Sequence, residues 1–231
     1  MRTLIYVPII HTSADLGSLA GDVTRRGIAD LGEDFWVKHQ STVEGFWDVI
    51  TDYFDTLDPA GLKIYQDGMI ADGEMGMKIV EESLKSGSRN YAVVSKLLKR
   101  GAVLVKTEDL KLVKAEYDRL MELTRAESIC RKLYAFLKYK IVKSRLLKKR
   151  DNYIIQRIEE TLGQDETGIL FIGALHDLIS KLSKNFKIIE IKSIRKVRDY
   201  QLLLPSYHKD RQRFEQLSEY LVSQIDKMHL S

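Results

Sequence analysis

Cysteine is almost missing from this chain: Cys130 is the only one among 231 residues. That excludes an intrachain disulfide and a cysteine-based zinc centre, and it fits a cytoplasmic protein kept reduced. Cys130 lies in a helical pattern, where a free thiol behaves as a small packed apolar group rather than as a nucleophile. Proline and glycine are scarce as well, at 3 and 14. With no serine- or proline-rich tract to act as a linker, residues 1–231 read as one domain. Nor does charge of one sign dominate. The 37 basic and 33 acidic residues leave a formal net charge of +4, which by itself calls for no polyanionic partner. Long apolar runs are lacking too. No stretch predicts a transmembrane segment, and the apolar run over 3–10 is shorter than a secretory leader requires.

What the chain has is a set of short apolar runs alternating with helix-length segments. Residues 3–10, 62–65, 102–106, 168–172 and 187–191 are rich in β-branched and aromatic side chains and read as five strands. Gly168-Ile169-Leu170-Phe171-Ile172 has the unbroken apolar pattern of a strand buried on both faces of a parallel sheet. Pro8, inside the first run, predicts an edge position or an early end for that strand. Between the strands, helical spacing covers 34–57, 74–85 and 88–100, with Gly87 suited to end one helix and Ser88 to cap the next. A further helical stretch over about 110–163 is too long for one crossover helix of average length. It predicts a helical insertion, broken near Lys148. A short helix from about His176 to Leu182 precedes the fifth strand. The tail over about 208–229 places Phe214, Leu217, Leu221, Ile225 and Met228 on one helical face, which must pack on the core or on another copy of the chain as a homo-oligomer. The predicted fold class is therefore α/β: a mostly parallel central sheet flanked by helices, with the insertion and a C-terminal helix added.

In an open parallel sheet the carboxyl ends of the strands carry the ligand site. Here they deliver His11, Asp67, Glu108 with Asp109, and His176 with Asp177. Two imidazoles and a carboxylate suit a divalent transition metal (Zn, Mn, Co or Fe), which polarises a carbonyl and supplies hydroxide at neutral pH. The competing reading is that polar residues merely collect where strands meet solvent. His39 beside Trp36, and His208 and His229 flanking the last helix, read as surface or capping residues.

The segment Lys149-Arg150-Asp151-Asn152-Tyr153-Ile154-Ile155, its helix continuing to Glu160, and the strand running into Gly173-Ala174-Leu175-His176 resemble the carboxyl-terminal half of the TraB and Tiki proteins. Their superfamily, which includes the erythromycin esterases and the ChaN-like proteins, carries an Arg-Asp or Arg-Asn helix leading into a strand that ends Gly-x-x-His. The first strand, ending at His11, is similar to the superfamily's amino-terminal Gly-x-x-His strand, and the second to one that ends in a glutamate. The resemblance implies an α/β fold with a helical middle. It implies that His11 and His176 are metal ligands or acid/base groups, Asp67 their acidic partner, and Arg150 a buried cation that orients the acid or binds substrate. It also implies metal-dependent hydrolysis of peptide or ester bonds in a peptide or small-molecule substrate. Two positions depart from the pattern: Pro8 stands where the first motif has glycine, and Gln66-Asp67 replaces the glutamate. Pro8 at the first motif favours the alternative of a ligand-binding or interaction protein that keeps the fold without the reaction.

A third reading rests on Lys138, Lys140, Lys143, Arg145, Lys148, Lys149 and Arg150, basic groups on adjoining helical turns that would neutralise nucleic-acid phosphates. On an ideal helix these positions spread around much of the circumference, so a solvated face is preferred over a nucleic-acid partner.

Overall fold

The computed structural model describes residues 1–12, 14–15, 20–124 and 129–226, with side chains described for these except at 20, 22–23, 26, 30, 120–124 and 129–143. The expectations for Cys130, for the side chains of Lys138, Lys140 and Lys143, and for Met228 and His229 lie outside the described residues.

Five strands are present among them: β1 (Arg2–Ile9), β2 (Lys63–Gln66), β3 (Val103–Val105), β4 (Thr167–Gly173) and β5 (Phe186–Glu190). They form one sheet in the order β3-β2-β4-β1-β5, and every pairing is parallel. Helices α1 (Ala20–Leu31) and α2 (Glu33–Asp55) connect β1 to β2, and α3 (Gly73–Lys85) and α4 (Arg89–Lys99) connect β2 to β3. Next, α5 (Leu110–Thr124) and α6 (Ile129–Thr161) lead to β4, while α7 (Ile194–Leu203) and α8 (Arg211–Val222) close the chain.

Period-two alternation splits each apolar run between two cores. Ile5, Val7, Ile9, Ile64, Leu104, Ile169 and Phe171 face the larger core with the apolar sides of α2, α4, α7 and α8. Leu4, Tyr6, Tyr65, Val105, Leu170 and Ile172 face the other core, built against Ile154, Ile155 and Ile158 of α6. Central strands covered on both faces must be apolar throughout, which is the physical cause of the unbroken run in β4. Gly168 in β4 fits this packing through its size. A Cβ there would lie 2.9 Å from Tyr65 Cε2 and 3.4 Å from Leu162, and the Tyr65 ring is held by a 2.8 Å hydrogen bond to Thr161 Oγ1. Gly168→Ala is expected to lower stability by about 1–3 kcal/mol through overpacking, read by chemical denaturation.

Pro8 sits inside β1, and β1 is central, so the expected edge position or early end is corrected. The Ile191 N–H donates to Tyr6 O at 3.0 Å, which directs the backbone groups of Tyr6, and two residues on those of Pro8, toward β5. The pairing of β1 with β5 ends at Tyr6↔Glu190. The N–H that proline lacks would thus point past the end of β5, and no ladder bond is lost.

Three helix boundaries also differ from expectation. α6 runs without interruption through Lys148, because the segment holds no glycine or proline and charge alone does not break a helix. Its last turns are the crossover that covers the sheet rather than part of an excursion. Over His176 to Leu182, where a helix is expected, the chain is irregular and makes a single turn at 179–181; the Asp177 N–H is taken by the Asp151 carboxylate at 3.3 Å. α8 stops at Val222, where buried Lys192 donates to the end carbonyls of Tyr220 (3.0 Å) and Ser223 (2.5 Å). Its apolar face, Phe214, Leu217 and Leu221, is spent on this chain's own core. No helix among the described residues is long and apolar enough to cross a membrane.

His39 belongs to this framework rather than to the surface. Its Nδ1 lies 2.8 Å from the Tyr200 hydroxyl, tying α2 to α7, and burial pushes its pKa down to about 4. The unfolded chain takes up this proton near the ordinary imidazole value while the folded chain refuses it, so stability is full above that value and falls as the pH drops. About 3 kcal/mol, on the order of the full shift, is expected to be lost between neutrality and pH 4. In His39→Gln the acid slope flattens, as denaturation at stepped pH will show.

Candidate active site

Cluster membership fixes where each strand's continuation leaves the sheet. The helices after β1 and β2 pack on the larger core, whereas α6, which follows β3, and the turns after β4 pack on the smaller one. Neighbouring strands β2, β4 and β1 therefore send their chains to opposite faces, and a crevice opens at their carboxyl ends. A cavity of about 600 Å³ occupies this place. It is lined by all four residues expected from the sequence, His11 after β1, Asp67 after β2, His176 after β4 and Arg150 from α6.

Arg150 is the centre of charge. Its Nη2 donates to Asp67 Oδ1 at 2.6 Å and its Nε to Glu108 Oε2 at 3.1 Å. Nη2 also reaches Glu108 Oε1, and Nη1 reaches Glu116 Oε2. One guanidinium thus faces three carboxylates, and Glu108 is 0% exposed. Burial pushes the Glu108 carboxyl up, against the pull of Arg150 and with the help of Asp67. Burial would raise Asp67 as well, but His176, Arg150, His11 and the Gly173 N–H hold it well below the usual carboxylate range.

His176 is buried and clamped. Its Nδ1 is 2.7 Å from Asp151 Oδ1, and the other Asp151 oxygen accepts from Lys181 Nζ at 2.9 Å. A carboxylate at Nδ1 places the ring proton there, so the neutral imidazole turns a bare Nε2 toward Asp67 Oδ2, 3.9 Å away. Burial works against protonation, yet the bond to Asp151 and the charge of Asp67 carry the His176 pKa above its ordinary value. Backbone geometry supports the ring. Arg198 donates to the carbonyls of Ala174 (2.7 Å) and His176 (3.2 Å), and the Gly173 N–H donates to Asp67 Oδ2 at 3.1 Å.

His11 lines the same cavity as an exposed side chain. The arrangement does not fit the expected divalent ion. Asp67 already spends one oxygen on Arg150 and the other on Gly173, His176 offers only Nε2, and a guanidinium stands where a cation would neutralise the acids. Among the described residues no group of three or more His, Cys, Asp or Glu side chains is placed to hold a metal.

Sequence reading missed Asp151, Glu116 and Asn90 as site residues. Asp151 was legible in one respect, since it adjoins Arg150 on the same helix and so lies about 100° around the axis, free to meet a different strand end. Asp177, grouped with His176 in the sequence, turns away and accepts from Ser180 instead. The basic run fares differently at each position. Arg145, Lys148 and Lys149 are exposed, while Arg150 is buried against three carboxylates that outweigh its charge toward a phosphate. No family model matches this chain, and no curated protein or solved structure does either.

Proposed function

We propose that the protein is a hydrolase of ester or peptide bonds, TraB/Tiki-like in its site, in which His176 is the acid/base group. The observation that carries this reading is the His176–Asp151 pair, 2.7 Å apart, at a strand end that opens on a cavity. Neutral His176 takes a proton from water at Nε2 as the water oxygen bonds to the carbonyl carbon. Asp151 holds the tautomer and stabilises the imidazolium, and Asp67 adds a second negative charge beside Nε2. The proton then passes to the leaving oxygen or nitrogen as its bond to carbon breaks. His11, from the neighbouring strand end, supplies a second imidazole to the substrate side of the cavity. Arg150 keeps Asp67 ionised and in place. No step is routed through a metal. A reduced cytoplasmic setting goes with this reading, supported by the single cysteine.

Hydrolysis of para-nitrophenyl esters and aminoacyl para-nitroanilides by the full chain tests it. Because only the neutral ring acts as base and its pKa is raised, the rate is expected to climb with pH through a midpoint above the ordinary imidazole value. A wild-type rate no greater than that of His176→Ala would overturn the proposal.

A further inference from the structure

Two side chains of the cavity wall have hydrogen-bonding capacity that none of the described residues uses. Gln66, 1% exposed, and Asn90, 2% exposed, both line the cavity. Gln66 Oε1 and Asn90 Oδ1 have no hydrogen-bond partner among the described residues. The Gln66 amide is not free to turn over, because its Nε2 donates to the Asp67 carbonyl at 3.3 Å and a reversed amide would set two oxygens face to face. A buried, unsatisfied acceptor is destabilising. Both oxygens are themselves buried, so a ligand that donates hydrogen bonds removes this cost by drawing the two amides toward the cavity.

The charge around these acceptors gives the ligand its sign. Asp15, Asp67 and Glu116 line the cavity, and Arg150 is the one lysine or arginine among the described residues that line it. That guanidinium already gives four N–H donors to Asp67, Glu108 and Glu116, and three carboxylates outweigh its single charge before an anion arrives. The N-terminus of α4, which would otherwise attract one, has Ser88 at its cap, and Ser88 Oγ donates to Asp15. The wall is therefore acceptor-rich and net negative, with room for a ligand of small-molecule size.

We propose that this cavity takes substrates bearing an ammonium group beside the bond to be cleaved, held by the side-chain carbonyls of Gln66 and Asn90 within the field of Asp15, Asp67 and Glu116. An ammonium carries three N–H donors and no acceptor, which matches two unpartnered carbonyls and an acidic wall. The inference deepens the hydrolase reading of the same site and rests on it for the bond that is cut.

Calorimetric titration of the full chain with leucinol, and with the diol in which a hydroxyl replaces its ammonium, separates charge from shape without turnover. Leucinol is expected to bind at least about tenfold more tightly than the diol. Gln66→Met and Asn90→Leu are each expected to weaken leucinol by about tenfold, while the melting temperature of free Asn90→Leu stays level or rises, because an unsatisfied acceptor has been removed. Equal or tighter binding of the diol overturns the inference, as does the absence of any binding. So does undiminished leucinol affinity in both variants, or a fall in the melting temperature of Asn90→Leu showing that its carbonyl already has a structural partner. Leucinol bound as expected with no ester or anilide cleaved brings down the hydrolase reading alone. Cleavage with no preference for an α-ammonium brings down this inference alone.

Discussion

Replacing Arg150 with methionine is expected to lower stability by about 3–5 kcal/mol at neutral pH, the scale for stranding buried charge when its partner is removed. Methionine fills much the same space, so the loss reports charge rather than a cavity. Asp67, Glu108 and Glu116 all lean on this one side chain, and Glu108 has no water to turn to. The dependence on pH carries the diagnosis. With the guanidinium present, His176 and Arg150 hold Asp67 below the usual carboxylate range, and it contributes stability that is lost only as the pH falls through that lowered value. Without it, Glu108, already raised by burial, and Asp67, left with His176, His11 and the Gly173 N–H, bind protons more readily than in the wild type, so acidification costs the variant less. The gap between wild type and Arg150→Met should narrow from pH 7 toward about pH 5. Urea denaturation at several pH values measures it, and a gap under about 1 kcal/mol, or one indifferent to pH, would show that the acids do not depend on Arg150.

The largest effect on activity falls on His176. His176→Ala removes the only imidazole held by a carboxylate at this strand end, and a loss of about 10²–10⁴ in kcat/KM is expected. Asp151→Asn is the more informative partner. It keeps the shape but withdraws the charge that, against burial, raises the imidazole. The midpoint of the pH profile should therefore move to lower pH while the plateau rate falls, because an amide no longer fixes the proton on Nδ1. A variant with an unmoved midpoint would mean that some other group titrates.

The sheet was legible because its signals are local. Short β-branched runs, the Gly87–Ser88 boundary and the amphipathic face of α8 each reflect constraints acting within a few residues, and Ser88 indeed accepts the Tyr91 N–H as a cap. Strand order was not legible, since nothing in β1 itself says that β4 and β5 flank it. Pro8 misled for the same reason: its missing N–H matters only if a neighbour stands opposite, and the end of β5 decides that. At the site, His11, Asp67, His176 and Arg150 were visible as strand-end groups and as a motif, and they line one cavity. The metal was inferred from residue types, but the charge balance depends on which side chain occupies the centre. The sequence could not reveal that Glu108 and Glu116 converge on Arg150 across three separate elements.

Arg150 and Asp151 are consecutive on a helix that runs unbroken from Ile129 to Thr161, and one anchors the acids while the other aims the imidazole. A rigid rod turns both of its neighbouring residues through the same angle. The acid clamp and the base thus share a single mechanical degree of freedom, so twisting that rod disarms the whole site at once, and no partial misalignment of one group alone is open to it.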